Sequence, residues 1–467
     1  MSMRTIMRYL TISVTFLIIT GMNITTDPVE PVRPLSPTPP MGWNSYDCFG
    51  ATATEQDIKD NADYMSLNLK NYGWEYVVLD YCWYYPHPPG STQDNPPQFR
   101  LENEGAPVPW MPMDEWGRLL PDPRKFPSSA GGQGLKPLAD YVHSKGLKFG
   151  IHVMRGIPRQ AVWAKSPILG ADGSTADQIA DTTSTCQWLN LMYGVDMSKN
   201  GAREYYNSIV KLYAEWGVDF IKVDDIEHTG NHTYWGDEVE AFSHAITASG
   251  KPMILSLSPG TSYENRAHMA QFAQMWRISG DFWDVWSKLK AQFERCAMWA
   301  SISGPDSWPD ADMLPIGDLR QRGPFPPKGK SRFTPEEHYT LLTLWSIFRS
   351  PLMLGGNLPS TDDFTLKLIT NPEIIEVNQK CSNSRELYNR NEEVVWIADA
   401  PGKNEKYVAL FNISDLPRSI MFEFSEAGLG NRYRVRDLWE RKEMGAVKNR
   451  LKADIPPHGS KIFKLSL

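Results

Sequence analysis

The strongest constraint on the fold is a phrase that recurs along the chain. Residues 71–80 (NYGWEYVVLD), 144–152 (SKGLKFGIH) and 215–224 (EWGVDFIKVD) each follow an amphipathic helical stretch. Each sets a glycine (Gly73, Gly146, Gly217) at the helix C-terminus, then an apolar run, then a polar residue (Asp80, His152, Asp224). Glycine suits the left-handed backbone that closes a helix, and the short apolar run suits a buried parallel strand. A fourth copy, residues 250–258 (GKPMILSLS), keeps the order. This alternation, sustained from about residue 36 to about 370, predicts a parallel sheet covered by helices. Polar residues recurring at strand C-termini favour a (β/α)8 TIM barrel, whose functional groups gather at that end. A doubly wound sheet alternates in the same way, but no glycine-rich phosphate loop follows the first strand. The last barrel helix is signalled by Thr334 as N-cap, Pro335 at its first position and Glu337 to complete a capping box.

After about residue 380 the pattern changes. Runs at 394–398, 407–413, 419–424, 433–439 and 461–465 are short, β-prone and separated by turn residues. They predict a C-terminal antiparallel β-sandwich over 380–467, following a barrel over 26–375. At the other end, Arg4 and Arg8 precede an apolar run from Tyr9 to Thr20 that is too short to span a bilayer comfortably. Residues 1–25 therefore read as an export signal, with a periplasmic or secreted mature protein carrying no membrane span. Pro28 to Pro40 reads as an extended lead-in.

Five cysteines (Cys48, Cys82, Cys186, Cys296, Cys381), without a CxxC, indicate neither a disulfide framework nor a zinc cluster. One bridge is allowed, and Cys48 with Cys82, both near expected strand ends, is the favoured pair. The net charge of -7 argues against a nucleic-acid partner, which needs a basic surface. The 17 Trp, 19 Tyr and 18 Phe serve equally as core or as flat platforms for the C–H face of a pyranose.

Two carboxylates stand out. Asp224 ends an apolar strand with Lys222 two residues earlier on the same face. A neighbouring ammonium keeps a carboxylate ionised, as a nucleophile must be, although a structural Lys–Asp pair closing a barrel end uses the same pattern. Asp281 ends the run from Met275, and Trp276, Phe282 and Trp283 beside it would desolvate it and raise its pKa, as a general acid requires. It also reads as the N-cap of a helix from Phe282 to about Trp299. Two carboxyl groups flanking an anomeric carbon are what glycoside hydrolysis needs. A third cluster, residues 304–313, suits hydroxyl binding through Asp312. The Pro-rich stretch from Pro86 to Pro127, with Trp110 and Trp116, reads as a long loop shaping one cleft wall.

Seven motifs then carry a resemblance: PMGWNS (40–45), VLDYCW (78–83), DEWGRLL with DPRKFP (114–127), 135–151, KVD (222–224), WR with Asp281, and WPDADML (308–314). In this order they resemble glycoside hydrolase family 27, the α-galactosidase (melibiase) family, and VRDLW (435–439) resembles its sandwich. The resemblance implies a metal-free, cofactor-free enzyme acting on α-linked sugars with retention. It places the nucleophile at Asp224 and the acid/base at Asp281. Hydroxyl-binding residues fall on Asp80, Lys222, Arg277 and Asp312, and an aromatic wall on Trp43 and Tyr46.

The departures lie around the sugar. The family's paired aspartates appear as Asp80-Tyr81, its tyrosine after the third strand as His152 followed by Arg155, and its cysteine after the nucleophile as Asp225-Ile226. Ser258 stands where α-galactosidases carry a glutamate near the 2-hydroxyl, as in the branch that accepts a 2-acetamido group. The expected activity is exo-acting α-galactosidase. α-N-acetylgalactosaminidase, β-L-arabinopyranosidase and isomalto-dextranase are its neighbours, and Tyr81 would fill the space left by an arabinoside's missing C6. From other classes come a metal-dependent hydrolase using Asp224, Asp225, Glu227 and His228 with His152, and a non-catalytic sugar-binding barrel.

Overall fold

The computed structural model describes residues 34–86, 98–99, 108–186, 188–227, 234–260, 262–322 and 328–467. The expected export signal and its cleavage site, most of the proline-rich lead-in and His228 lie outside the described residues.

Eight parallel strands form one sheet: β1 (Met41–Asn44), β2 (Tyr76–Leu79), β3 (Lys148–Met154), β4 (Phe220–Asp224), β5 (Ile254–Leu257), β6 (Met275–Arg277), β7 (Trp308–Asp310) and β8 (Leu352–Leu354). Their order is β7-β6-β5-β4-β3-β2-β1-β8, and a parallel bridge between Leu314 and Leu354 joins the two edges. Each strand is followed by a helix: α1 (Glu55–Asn68), α2 (Lys136–Ser144), α3 (Ala202–Glu215), α4 (Gly236–Ser249), α5 (Arg266–Phe272), α6 (Trp286–Trp299), α7 (Pro335–Phe348) and α8 (Asp363–Ile369). This is the expected (β/α)8 barrel. The glycines of the recurring phrase do what it requires of them, with φ of +96° at Gly73, +70° at Gly146 and +87° at Gly217.

The period of two along each strand decides what the barrel holds. Tyr76, Val78, Phe220, Ile254, Met275, Trp308 and Met353 form the inner core, whereas Val77, Leu79, Ile221, Val223, Leu255 and Leu257 belong to the larger core around it. Continuing the inner series toward the strand C-termini gives Asp80 after Val78, Lys222 and Asp224 after Phe220, Ser258 after Ile254, and Arg277 after Met275. The recurring phrase is thus the inner face of the barrel running from core to mouth.

Three expectations are corrected. The capping box at Thr334 is present, but its helix is the seventh, because the short α8 and a helix at Pro372–Lys380 follow. The helix after Asp281 begins at Trp286 with Val285 as cap, so Asp281 stands free of it on the preceding loop. All five cysteines are buried free thiols. Cys48 Sγ lies 3.6 Å from the Ser45 carbonyl and Cys82 Sγ 3.9 Å from the Tyr84 hydroxyl, so local partners occupy the expected pair.

The sandwich begins at Ser382. Its larger sheet has six antiparallel strands and its smaller sheet pairs Arg418–Glu423 with Arg450–Ile455. Val395, Ile397, Val408, Leu410, Ile420, Phe422 and Leu465 fill the space between them. The sandwich docks on α6 and α7: Phe411 meets Phe293 edge-on at 5.0 Å, and Trp439 Nε1 donates to Thr343 Oγ1 at 2.9 Å.

Candidate active site

The inner-face residues converge on a cleft at the barrel mouth. It is lined by Tyr46, Asp80, Tyr81, Lys222, Asp224, Ser258, Arg277, Asp281 and Asp312 among the expected residues, and by Asp47, Trp188 and Trp283 among others.

Its floor is two buried ion pairs. Lys222 Nζ donates to Asp80 Oδ2 at 3.0 Å, and Asn44 Nδ2 donates to the same oxygen at 2.6 Å. Burial works against the charge on Asp80, but Lys222, His152 and the Asn44 bond outweigh it and hold the carboxyl below its ordinary pKa. Burial likewise opposes the Lys222 ammonium, while Asp80 and Asp224 hold it above the usual lysine value. In the second pair, Arg277 Nη2 meets Asp312 Oδ2 at 2.7 Å, and Asp312 also accepts from the Phe282 and Met313 amides at 2.7 Å each. Behind it lies Asp310, whose carboxyl is pushed up to about 7 by burial and then by the Asp312 charge. Fixed donors and acceptors arranged this way suit a polyhydroxylated ligand better than an apolar one.

Asp224 sits at the tip of β4 with a side chain 15% exposed. Its Oδ1 accepts the Asp225 amide at 2.9 Å and its Oδ2 lies 3.0 Å from His152 Nε2. An ionised carboxylate only accepts, so Nε2 is the donor. Burial pushes its pKa up, but the His152 bond and charge and Lys222 together hold it below the ordinary value. Asp224 is therefore an ionised carboxylate reachable from the cleft.

Asp281 differs from its expectation. Its side chain is 61% exposed, with Arg277 Nη2 3.4 Å from Oδ1, so the neighbouring aromatics do not desolvate it. Trp276 turns away into the core against Trp299 at 6.2 Å, Phe282 packs against Trp345, and only Trp283 has its ring near Tyr46, at 6.4 Å.

Two further residues fall outside the cleft. Trp43 is wholly buried and donates from Nε1 to the Gly356 carbonyl at 2.7 Å, so the aromatic wall does not include it. His152 is also buried and touches Asp224 from behind. The wall is instead an arc of four rings: Trp188 to Tyr81 at 5.8 Å, Tyr81 to Tyr46 at 5.9 Å, Tyr46 to Trp283 at 6.4 Å. Trp188 comes from the inserted segment between β3 and α3, where no periodic signal pointed to it. Asp47 follows Tyr46 directly after the first motif, and its adjacency was the one signal available. Trp110 and Trp116 do not line this cleft; Trp110 packs edge-on against Trp163 at 6.1 Å.

For the metal reading, no group of three or more His, Cys, Asp or Glu among the described residues is arranged to hold an ion. Asp225 is engaged by Arg155 and Glu227 by the Ser262 amide.

Residues 110–182 and 192–380 match the sequence profile of alpha galactosidase A, and 391–465 that of the alpha galactosidase C-terminal beta sandwich domain. Among solved structures, a β-L-arabinopyranosidase from Geobacillus stearothermophilus is 45% identical, with 93% of this chain and 97% of that one covered and a TM-score of 0.87. A candidate α-N-acetylgalactosaminidase from Bacillus halodurans is 43% identical over 92% and 97% of the two chains, with a TM-score of 0.80. Alpha-galactosidase 2 of Arabidopsis thaliana is 28% identical over 92% of this chain and 90% of its own length. Barrel, sandwich and carboxylate-lined mouth are those of a glycoside hydrolase with a carbohydrate substrate. The chain belongs to glycoside hydrolase family 27, the α-galactosidase (melibiase) family.

Proposed function

We propose that the enzyme is a retaining, exo-acting β-L-arabinopyranosidase working by double displacement. The observation that carries the choice of sugar is Tyr81, a phenol in the cleft wall where the family's α-galactosidases present their second aspartate. β-L-Arabinopyranose has the ring stereochemistry of galactose without C6, so a cleft that has exchanged a carboxylate for an aromatic ring suits it. The arabinopyranosidase relative at 45% identity supports the same reading.

In this mechanism the Asp80–Lys222 and Arg277–Asp312 pairs hold the ring hydroxyls by charge-assisted hydrogen bonds. Asp224, kept ionised by His152 and Lys222, attacks the anomeric carbon. Asp281 gives its proton to the leaving oxygen, then takes one from the water that releases the sugar. Its exposure leaves it open to that water, and an aglycone seated against Trp283 excludes solvent during the first step.

α-Galactosidase activity is the second reading, favoured by the curated relatives such as the Arabidopsis enzyme. Aryl β-L-arabinopyranoside, α-D-galactoside, α-N-acetylgalactosaminide and α-glucoside separate the sugars. We expect kcat/KM for the arabinoside to exceed the others by about tenfold or more, and a galactoside preference would hand the assignment to the second reading. NMR of the first product should show retained configuration, and Asp224→Asn should lose about a thousandfold or more of kcat. Export through residues 1–25 belongs to the same proposal, and N-terminal sequencing of mature protein tests it.

A further inference from the structure

Arg155 and Asp225 depart from the family pattern, and the chemistry above uses neither. Both are buried, at 3% exposure each, directly behind Asp224. Arg155 follows β3, and its amide donates to the Asp224 carbonyl at 2.9 Å, extending the β3–β4 ladder by one bond. Its guanidinium donates through Nε to the Asp225 carbonyl at 2.8 Å and through Nη2 to Asp225 Oδ2 at 3.1 Å. Nη2 also reaches Ser184 Oγ at 3.0 Å, Nη1 reaches Glu238 Oε1 at 2.7 Å, and the Trp235 ring lies 4.1 Å beneath. The fork is thus held from the inserted strand Ala180–Thr185, from α4 and from the β4 tip at once.

What it holds is unusual. Asp225 has φ of +59°, a left-handed conformation that a residue with a Cβ adopts at a cost and keeps only when its surroundings fix it. That conformation turns the Asp225 N–H onto Asp224 Oδ1, one of the two hydrogen bonds on this carboxylate among the described residues.

We propose that Arg155 is a positioning residue for the nucleophile: by clamping the carbonyl and carboxylate of Asp225 it keeps the 224–225 peptide turned so that Asp224 stays in one orientation. This rests on Asp224 being the nucleophile. The clamp also has an electrostatic side. Asp225 is a second acid adjacent to Asp224, and the groups facing it are Arg155, Asp224 and the Cys186 thiol. Glu238, with the Tyr206 hydroxyl on it, shares the guanidinium from the far side. Without the guanidinium the Asp225 charge is unbalanced beside the nucleophile and opposes its ionisation.

The test compares Arg155→Lys, Arg155→Gln, Asp225→Asn and Glu238→Gln in the full chain, on the aryl glycoside the wild type cleaves fastest and per site titrated with a mechanism-based inactivator. Arg155→Lys loses the fork, and kcat should fall about 10- to 100-fold with KM within about threefold. In Arg155→Gln, which loses the charge as well as the fork, the acid limb of the kcat/KM profile should move to higher pH. Asp225→Asn keeps the left-handed backbone but loses the ion pair, and should fall in kcat in the same direction. Glu238→Gln removes a guanidinium partner that does not touch the nucleophile's loop, so it should lower Tm yet leave kcat within about threefold. Equal kcat losses for Arg155→Lys and Glu238→Gln, or an unmoved acid limb, would overturn the clamp. If Arg155→Lys does not fold, Asp225→Asn against Glu238→Gln decides the same question. A mistaken sugar changes only the substrate used, and an active Asp224→Asn would condemn the nucleophile assignment whatever the clamp variants do.

Discussion

Two residues carry the strongest consequences for specificity and for pH. Tyr81 meets Tyr46, His152 and Trp188 through ring contacts of 5.8 to 5.9 Å, so it shapes the cleft wall and backs the histidine behind Asp224. Tyr81→Asp restores the family's paired carboxylates, and the ratio of arabinoside to galactoside kcat/KM should shift toward galactoside by about tenfold. A ratio unchanged within error would remove Tyr81 from the specificity argument. Asp310 governs stability instead. Its carboxyl sits at about 7 against an ordinary 3.8, so the folded state binds its proton more tightly than the unfolded chain. The stabilisation from this site is therefore complete below about pH 4 and disappears as pH rises through 7. Asp310→Asn keeps an oxygen for the Asp312 amide and never ionises. It should raise Tm by about 2–4 °C at pH 8 and leave it unchanged near pH 4, checked by calorimetry at both values.

At the scale of elements, local patterns were legible and non-local ones were not. The recurring helix–glycine–strand phrase placed Asp80, Lys222 and Asp224 on one inner face, because strand parity and helix C-caps are short-range properties. Asp281 was found as a candidate, but its solvent exposure depends on how the loops around the barrel mouth pack, which no single segment encodes. The inserted strands between β3 and α3 are only two to six residues long, too short to show a period, and Trp188 was hidden with them. The Thr334 capping box was the clearest local signal. Thr334 Oγ1 accepts the Glu337 amide at 3.3 Å and Glu337 Oε2 accepts the Thr334 amide at 2.8 Å. Thr334→Ala should destabilise the protein by about 1 kcal/mol, read as a lower denaturation midpoint with kcat unchanged.

The two domains share one apolar element, and that decides how the whole molecule unfolds. Every residue of α7 from Thr340 to Phe348 is buried, so the helix has no solvent face to spare. A helix that is buried all round needs cover on both sides. The barrel provides one side and the sandwich the other, through Trp396 on Phe348 at 6.3 Å, Trp439 on Tyr339 at 4.8 Å, and Ser460 Oγ donating to Thr343 Oγ1 at 3.0 Å. Removing the sandwich would expose this helix, so neither domain gains by unfolding alone. Calorimetry should accordingly show one endotherm, coincident with thermal loss of activity. Phe411→Ala leaves a cavity at the centre of the junction and should cost about 3–5 kcal/mol. If the junction couples the domains, that loss lowers the inactivation temperature by as much as the endotherm, although Phe411 belongs to the sandwich sheet and not to the barrel. Two separated transitions in the variant, with activity surviving the first, would show that the barrel stands without its partner.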